Sequence, residues 1–163
     1  LARMNRKYNT AEFLACVERL RRYFPGCALT ADMITGFPGE TEADQAAAVA
    51  FLEQVGFAAV HVFPYSRRPG TKADAMPEQL SHAVKSARAH EAQRVADACK
   101  QRYLVQQVGQ TLPVLFETEH DGSWVGHSDN YCLVRAAGDD LRGLVKNVKI
   151  SAVSGQMLVG DLV

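Results

Sequence analysis

The chain has 163 residues, 47% of them apolar, and its 18 Lys/Arg are balanced by 18 Asp/Glu. That length suits one ordinary domain or one and a half small ones. No apolar run approaches a bilayer span, and no basic-then-apolar leader opens the chain, so a soluble cytoplasmic protein is the expectation. The balanced total favours neither acidic nor basic partners, but the distribution is uneven. Residues 64–108 carry eight Lys/Arg against four Asp/Glu, and residues 109–163 carry four against seven. A polyanion is therefore expected to favour the middle segment over the tail. Cys16, Cys27, Cys99 and Cys132 form no C-x-x-C or C-x-x-x-C pair, so no zinc or cluster site is expected within this chain alone.

Residues 1–8 are basic and polar. A helix follows from Asn9 or Thr10, with Glu12 placed to complete a capping box. Phe13, Val17, Leu20 and Phe24 give it one apolar face, and Pro25-Gly26 ends it. Residues 28–35 predict a buried strand, in which Asp32 needs a partner or a polar cavity. Gly36-Phe37-Pro38-Gly39 is a loop. Thr41 caps the next helix with Asp44 at its third position, and Gly56 stops it. Residues 58–63 predict a second strand, where His61 alternates with Val60 and Val62. Two strands joined by such a helix are normally parallel and right-handed. A two-stranded parallel sheet is small for independent stability, so a larger barrel or sheet cut before residue 1 is expected.

A Pro- and Gly-bearing loop covers residues 64–79. A helix is expected from about Glu78 to Gln107, with Arg88, Arg94, Lys100 and Arg102 on a solvated or RNA-facing side. From Gly109 onward five short β-type runs, separated by Gly, Asp and Ser, predict a small antiparallel barrel.

Ligands of parallel α/β sheets bind beyond the carboxyl ends of the strands. Gly36–Thr41 and Phe63–Thr71 occupy those places. Each combines sharp turns, polar groups and an apolar floor, which suits an adenosine-containing cofactor. Each also reads simply as a turn.

MNRKYNTAEF (4–13), DMITGFPGETEAD (32–44), HVFPYSRRPGTKA (61–73) and GHSDNYCLV (126–134) occur in one order across essentially the whole chain. In series they resemble the methylthiotransferase family of radical S-adenosylmethionine enzymes. The resemblance implies an α/β plus all-β fold. Residues 1–66 would be the C-terminal part of a partial (βα) radical barrel, 67–108 a connector, and 109–163 an OB-like TRAM barrel. It implies Ile34 and Gly36, then Phe63 and Tyr65, as cofactor contacts, and Arg6 facing the active site. Arg67 and Arg68 would meet RNA phosphate or the cofactor carboxylate. In the tail, Lys146 and Lys149 supply local positive charge and Trp124 or Tyr131 a stacking ring, although Asn130-Tyr131 also reads as a turn seating its ring in the core.

The family's cofactors are S-adenosylmethionine and [4Fe–4S] clusters, whose ligating cysteines have no counterpart in this chain. The partner implied is the anticodon stem-loop of tRNA. The N-R-K-Y and H-V-F-P-Y-S-R-R runs resemble the branch that methylthiolates N6-threonylcarbamoyladenosine at position 37. The alternatives are the isopentenyladenosine or ribosomal-protein branches, or a non-catalytic RNA-binding module.

Overall fold

The computed structural model describes residues 1–163. Contacts divide the chain into two units, Leu1–Cys99 and Lys100–Val163. No helix is long and apolar enough to cross a membrane.

In the first unit, α1 spans Thr10–Tyr23. The Glu12 N–H donates to the Asn9 side chain at 2.9 Å and the Asn9 N–H donates back to the Glu12 carboxylate at 2.9 Å. This reciprocal box satisfies two of the N–H groups that a helix start leaves unpaired. α2 spans Glu42–Val55 and uses Thr41 and Asp44 in the same way, while Gly56 ends it in the left-handed conformation. Between them runs β1, Thr30–Thr35, and after α2 comes β2, Ala59–Pro64. The strands pair in parallel, as a βαβ connection requires.

The register sets Ala31 beside Val60 and Met33 beside Val62. These four pack toward Val17 of α1, Leu52 and Val55 of α2, and Ala92, Val95, Ala96 and Cys99 further along the chain. The other face carries Asp32 beside His61 and Ile34 beside Phe63, and all four are exposed. The expectation of a buried first strand is corrected accordingly. Side chains alternate across a strand, helices cover only one face, and Asp32 needs no buried partner.

α3 spans His82–Gln107 and starts later than expected. Glu78 has a positive φ of 58°, its carbonyl accepts from the Gly39 N–H, and the Gln79 amide donates to Ala73 and Met76 carbonyls, which hold this stretch as loop. Ser81 then caps the helix through the Val84 N–H.

The second unit contains β3 (Thr111–His120), β4 (Ser123–Ser128), β5 (Leu133–Ala136), β6 (Val145–Ser154) and β7 (Met157–Leu162). They close into a barrel in the order β3-β4-β5-β7-β6. Four neighbouring pairs are antiparallel, but β5 and β7 are parallel. This corrects the expected all-antiparallel barrel. Directions cannot alternate at every neighbour around a closed ring with an odd number of strands, so at least one pair must be parallel.

Val114, Phe116, Val134, Val148, Ile150 and Leu158 fill the barrel and are at most 1% exposed. Gly126 pairs with Phe116 and Val134 on the inward side, at a break in the β3–β4 register. A Cβ there would collide with the Leu115 carbonyl, so this strand glycine marks a close backbone approach. Gly126→Ala is expected to cost about 1–3 kcal/mol, read as a lower urea midpoint at unchanged slope.

Asp44 supplies a pH test at the start of α2. The backbone hydrogen bond from Thr41, and then the Thr41 hydroxyl, hold its carboxyl below the ordinary carboxylate value. Its stabilising contribution is complete above the unfolded value and disappears as pH falls through the lower folded one. In Asp44→Asn, the acid titration of the Thr41 amide resonance should vanish.

Candidate functional site

The loop after β1 is held from several directions. The Gly36 N–H donates to Glu40 Oε1 at 2.9 Å, and the Glu40 N–H donates to the Phe37 carbonyl at 2.9 Å. Arg3 donates to the Pro38 and Gly39 carbonyls at 3.0 and 2.9 Å. From α3, Arg88 donates to the Glu40 carbonyl and to Glu40 Oε1, each at 2.8 Å, and also to Glu42. Arg88 is only 6% exposed. Burial alone would weaken its hold on the proton, but the hydrogen bonds to Glu42 and Glu40 outweigh this and raise its pKa. This corrects the expectation that Arg88 lies on a solvated or RNA-facing side of the helix.

Gly36 has φ +69°, and a Cβ on it would lie 2.6 Å from Lys85 Cγ. The glycine lets α3 approach the loop. Lys85 places its amine 4.9 Å from the centre of the Tyr65 ring, and Phe37 meets that ring edge-on at 5.4 Å. Two hydroxyls here, Thr35 Oγ1 and Tyr65 Oη, are enclosed without a hydrogen-bond partner. They sit at or just beyond the carboxyl ends of the two strands, where an incoming polar ligand or water would relieve the cost of burial.

The four expected cofactor contacts therefore fall into two sets. Ile34 and Phe63 lie side by side on the bare sheet face, 37% and 51% exposed. Gly36 and Tyr65 belong to the loop packing, and the Gly36 N–H is already taken. A cleft of about 410 Å³ adjoins β1, lined by Arg3, Arg6, Tyr8, Asp32, Ile34 and Phe51 among others. Its volume lies within the range of small-molecule sites. The open apolar strip of Ile34 and Phe63 has the character that a flat apolar ring requires, whereas both hydroxyls are enclosed. The cysteines do not fit a cluster. No group of three or more His, Cys, Asp or Glu residues is placed to hold a metal ion, and burial pushes the Cys132 thiol up.

The expected RNA contacts also separate. Arg68 is exposed, whereas Arg67 donates to Asp74 through Nε at 2.7 Å, an exposed pair of small energetic worth. Lys146 and Lys149 are three residues apart on β6, so strand alternation sends them to opposite sides, and Lys149 donates to the Gly109 carbonyl at 2.7 Å. Trp124 is only 6% exposed and alternates with the buried Gly126 and Ser128, which corrects its assignment as a stacking ring. Tyr131 is 86% exposed, so it does not seat in the core either. The sequence pattern does not mark Arg3, Lys85 and Arg88 as loop supports. The adjacent acids Glu40 and Glu42 beside a glycine-rich turn were the available signal for a buried cation.

No family model matches the chain. It is 37% identical over 156 residues to the threonylcarbamoyladenosine tRNA methylthiotransferase MtaB of Bacillus subtilis (strain 168), covering 92% of this chain and 35% of the relative. It is 39% identical over 165 residues to the tRNA-2-methylthio-N(6)-dimethylallyladenosine synthase of Maricaulis maris (strain MCS10), covering 99% and 36%. It is 35% identical over 165 residues to the MtaB of Chlamydia pneumoniae, covering 100% and 39%. The chain thus spans between about a third and two fifths of the length of these relatives.

The loop clamp is directly testable. Arg88→Ala leaves the part-buried Glu40 without its cation and is expected to destabilise the fold by about 3–5 kcal/mol in urea unfolding. Adding Glu40→Gln should recover part of that loss, because the stranded charge is removed.

Proposed function

As a homologue of the tRNA methylthiotransferases over nearly its full length, the chain is, we propose, the C-terminal part of such an enzyme. Residues 1–66 are the end of a partial radical barrel, 67–108 the connector and 109–163 a TRAM-type RNA-binding barrel. The reaction is addition of a methylthio group to N6-threonylcarbamoyladenosine at position 37 of tRNA, in the cytoplasm. The observation that carries this reading is identity of 35–39% along at least 92% of the chain to proteins named for tRNA methylthiolation.

When bound, S-adenosylmethionine and its [4Fe–4S] cluster supply the radical chemistry. The cluster ligands come from a part of the enzyme outside this chain. This chain contributes one wall of the pocket. Ile34 and Phe63 receive the flat adenine, and Arg3 and Arg88 keep the loop in place. Arg68, with Arg67 when it releases Asp74, meets phosphate of the anticodon stem-loop.

The branch rests on the H-V-F-P-Y-S-R-R run, and the similarity to MtaB proteins supports it. The comparable similarity to a dimethylallyladenosine synthase favours the isopentenyladenosine branch as the second reading. Restoring the full-length gene to a strain deleted for it, followed by mass spectrometry of tRNA nucleosides, separates the two. The expected product is 2-methylthio-N6-threonylcarbamoyladenosine. Recovery of the methylthio-isopentenyl nucleoside alone would reassign the branch, and recovery of neither would overturn the enzyme assignment.

A further inference from the structure

The outside of the barrel carries a surface that the basic residues of the tail do not define. In register, Phe116, Gly126 and Val134 face inward, so Leu115, His127 and Leu133 form the neighbouring outward row. Val125 and Arg135 form the next. Beside these rows, in the connection from β4 to β5, stands Tyr131. Its ring is 86% exposed and 6.1 Å from the His127 imidazole. The Glu117 carboxylate holds the imidazole through Nδ1 at 2.6 Å.

Tyr131 occupies its place against the local backbone preference. Its φ is 60°, in the left-handed region that suits Gly or Asn far better than an aromatic residue. The conformation is imposed by a braced loop. The Tyr131 N–H donates to the Ser128 carbonyl at 2.9 Å, and the Cys132 N–H donates to Ser128 Oγ at 3.1 Å. The Asn130 amide donates to Tyr103 Oη and Gln107 Oε1 at 3.0 and 3.1 Å. A ring so exposed gains little from packing, so stability does not account for a tyrosine here. Strain held by a rigid support points to function.

β4 and β5 are the second and third strands of this five-stranded barrel, the strand pair with which OB-type barrels bind oligonucleotides. On this face the Glu117 carboxylate is bonded to His127 and Arg135 is the cation, while Asp129 shares the connection that carries Tyr131. We propose that the β4–β5 face binds an unpaired nucleobase of an RNA strand, with Tyr131 as the stacking platform and Arg135, in the outward row beyond His127 and Leu133, for phosphate. The proposal rests on the reading of the barrel as RNA-binding and names the surface and the mode. Because residues 109–163 carry four Lys/Arg against seven Asp/Glu, contact comes from the base plane more than from phosphate neutralisation.

The test is fluorescence anisotropy with the full chain, a short single-stranded RNA and the same strand in a duplex. Preference for the single strand is expected, with log–log salt dependence no steeper than about −2. Tyr131→Ala should weaken binding roughly 5- to 150-fold, the range of one base stack, and Tyr131→Phe should stay within about twofold. Tyr131→Gly should lose binding equally while its Tm is unchanged or higher, since glycine relieves the strain.

Indifference of binding to Tyr131→Ala would overturn the proposal, as would no binding at low salt or equal affinity for the duplex. A lowered Tm in Tyr131→Gly would make the ring structural and have the same effect. Self-association abolished by Tyr131→Ala, with RNA binding intact, would assign the face to a second copy. Any of these results alongside methylthiolated tRNA would leave the enzyme reading standing while this inference falls.

Discussion

The buried guanidinium of Arg88 sets the geometry at the carboxyl end of the small parallel sheet. Arg88 reaches from α3 under the loop that follows β1 and donates to both the backbone and the carboxylate of Glu40. Its own carbonyl accepts from Gln45 of α2 at 3.2 Å. One residue thus ties helix, loop and helix together. Desolvating a guanidinium is costly, and a buried pair returns that cost only when its hydrogen bonds are well formed. In exchange the loop has few alternative conformations. Lys85 can then lie against Gly36 and over Tyr65, and Tyr65 against Phe37.

What could be read from the residues follows the reach of each interaction. Both capping boxes and the Gly56 stop were legible because each is contained within a few consecutive residues. The parallel pairing followed from the length of the connecting helix. The exposure of Asp32 was not legible, because a lone strand does not reveal which of its faces the helices cover. The burial of Arg88 is hidden for a related reason, since its partners Glu40 and Glu42 are more than forty positions earlier.

Trp124 is different. It alternates with Gly126 and Ser128, all three are buried, and small residues two and four places from a large one already suggest an inward-facing row.

The two candidate surfaces expose different chemistry through the same device. In the first unit helices occupy one side of a sheet, and the bare side presents a polar row of Asp32 and His61 next to an apolar row of Ile34 and Phe63. In the second unit the sheet covers itself by closing, and everything available to a partner is on the outside. Five strands impose a parallel neighbour on that closure, and breaks in register within β3 and β6 accommodate the bending. The site residues are therefore products of which face each sheet buries, and not of the composition of the segments that carry them.

The capping boxes also bear on the order of assembly. The starts of α1 and α2 are encoded in windows from Asn9 to Glu12 and from Thr41 to Asp44, so those helices can begin to form from local contacts alone. Neither sheet has that advantage. Pairing β1 with β2 must bring Thr30 to Ala59, and sealing the barrel must bring Thr111 to Lys149. Each step bears the entropy of closing a long loop before its hydrogen bonds reward it. The slow events of folding are accordingly the meetings of strands, and the barrel seam between β3 and β6 governs when the second unit becomes native.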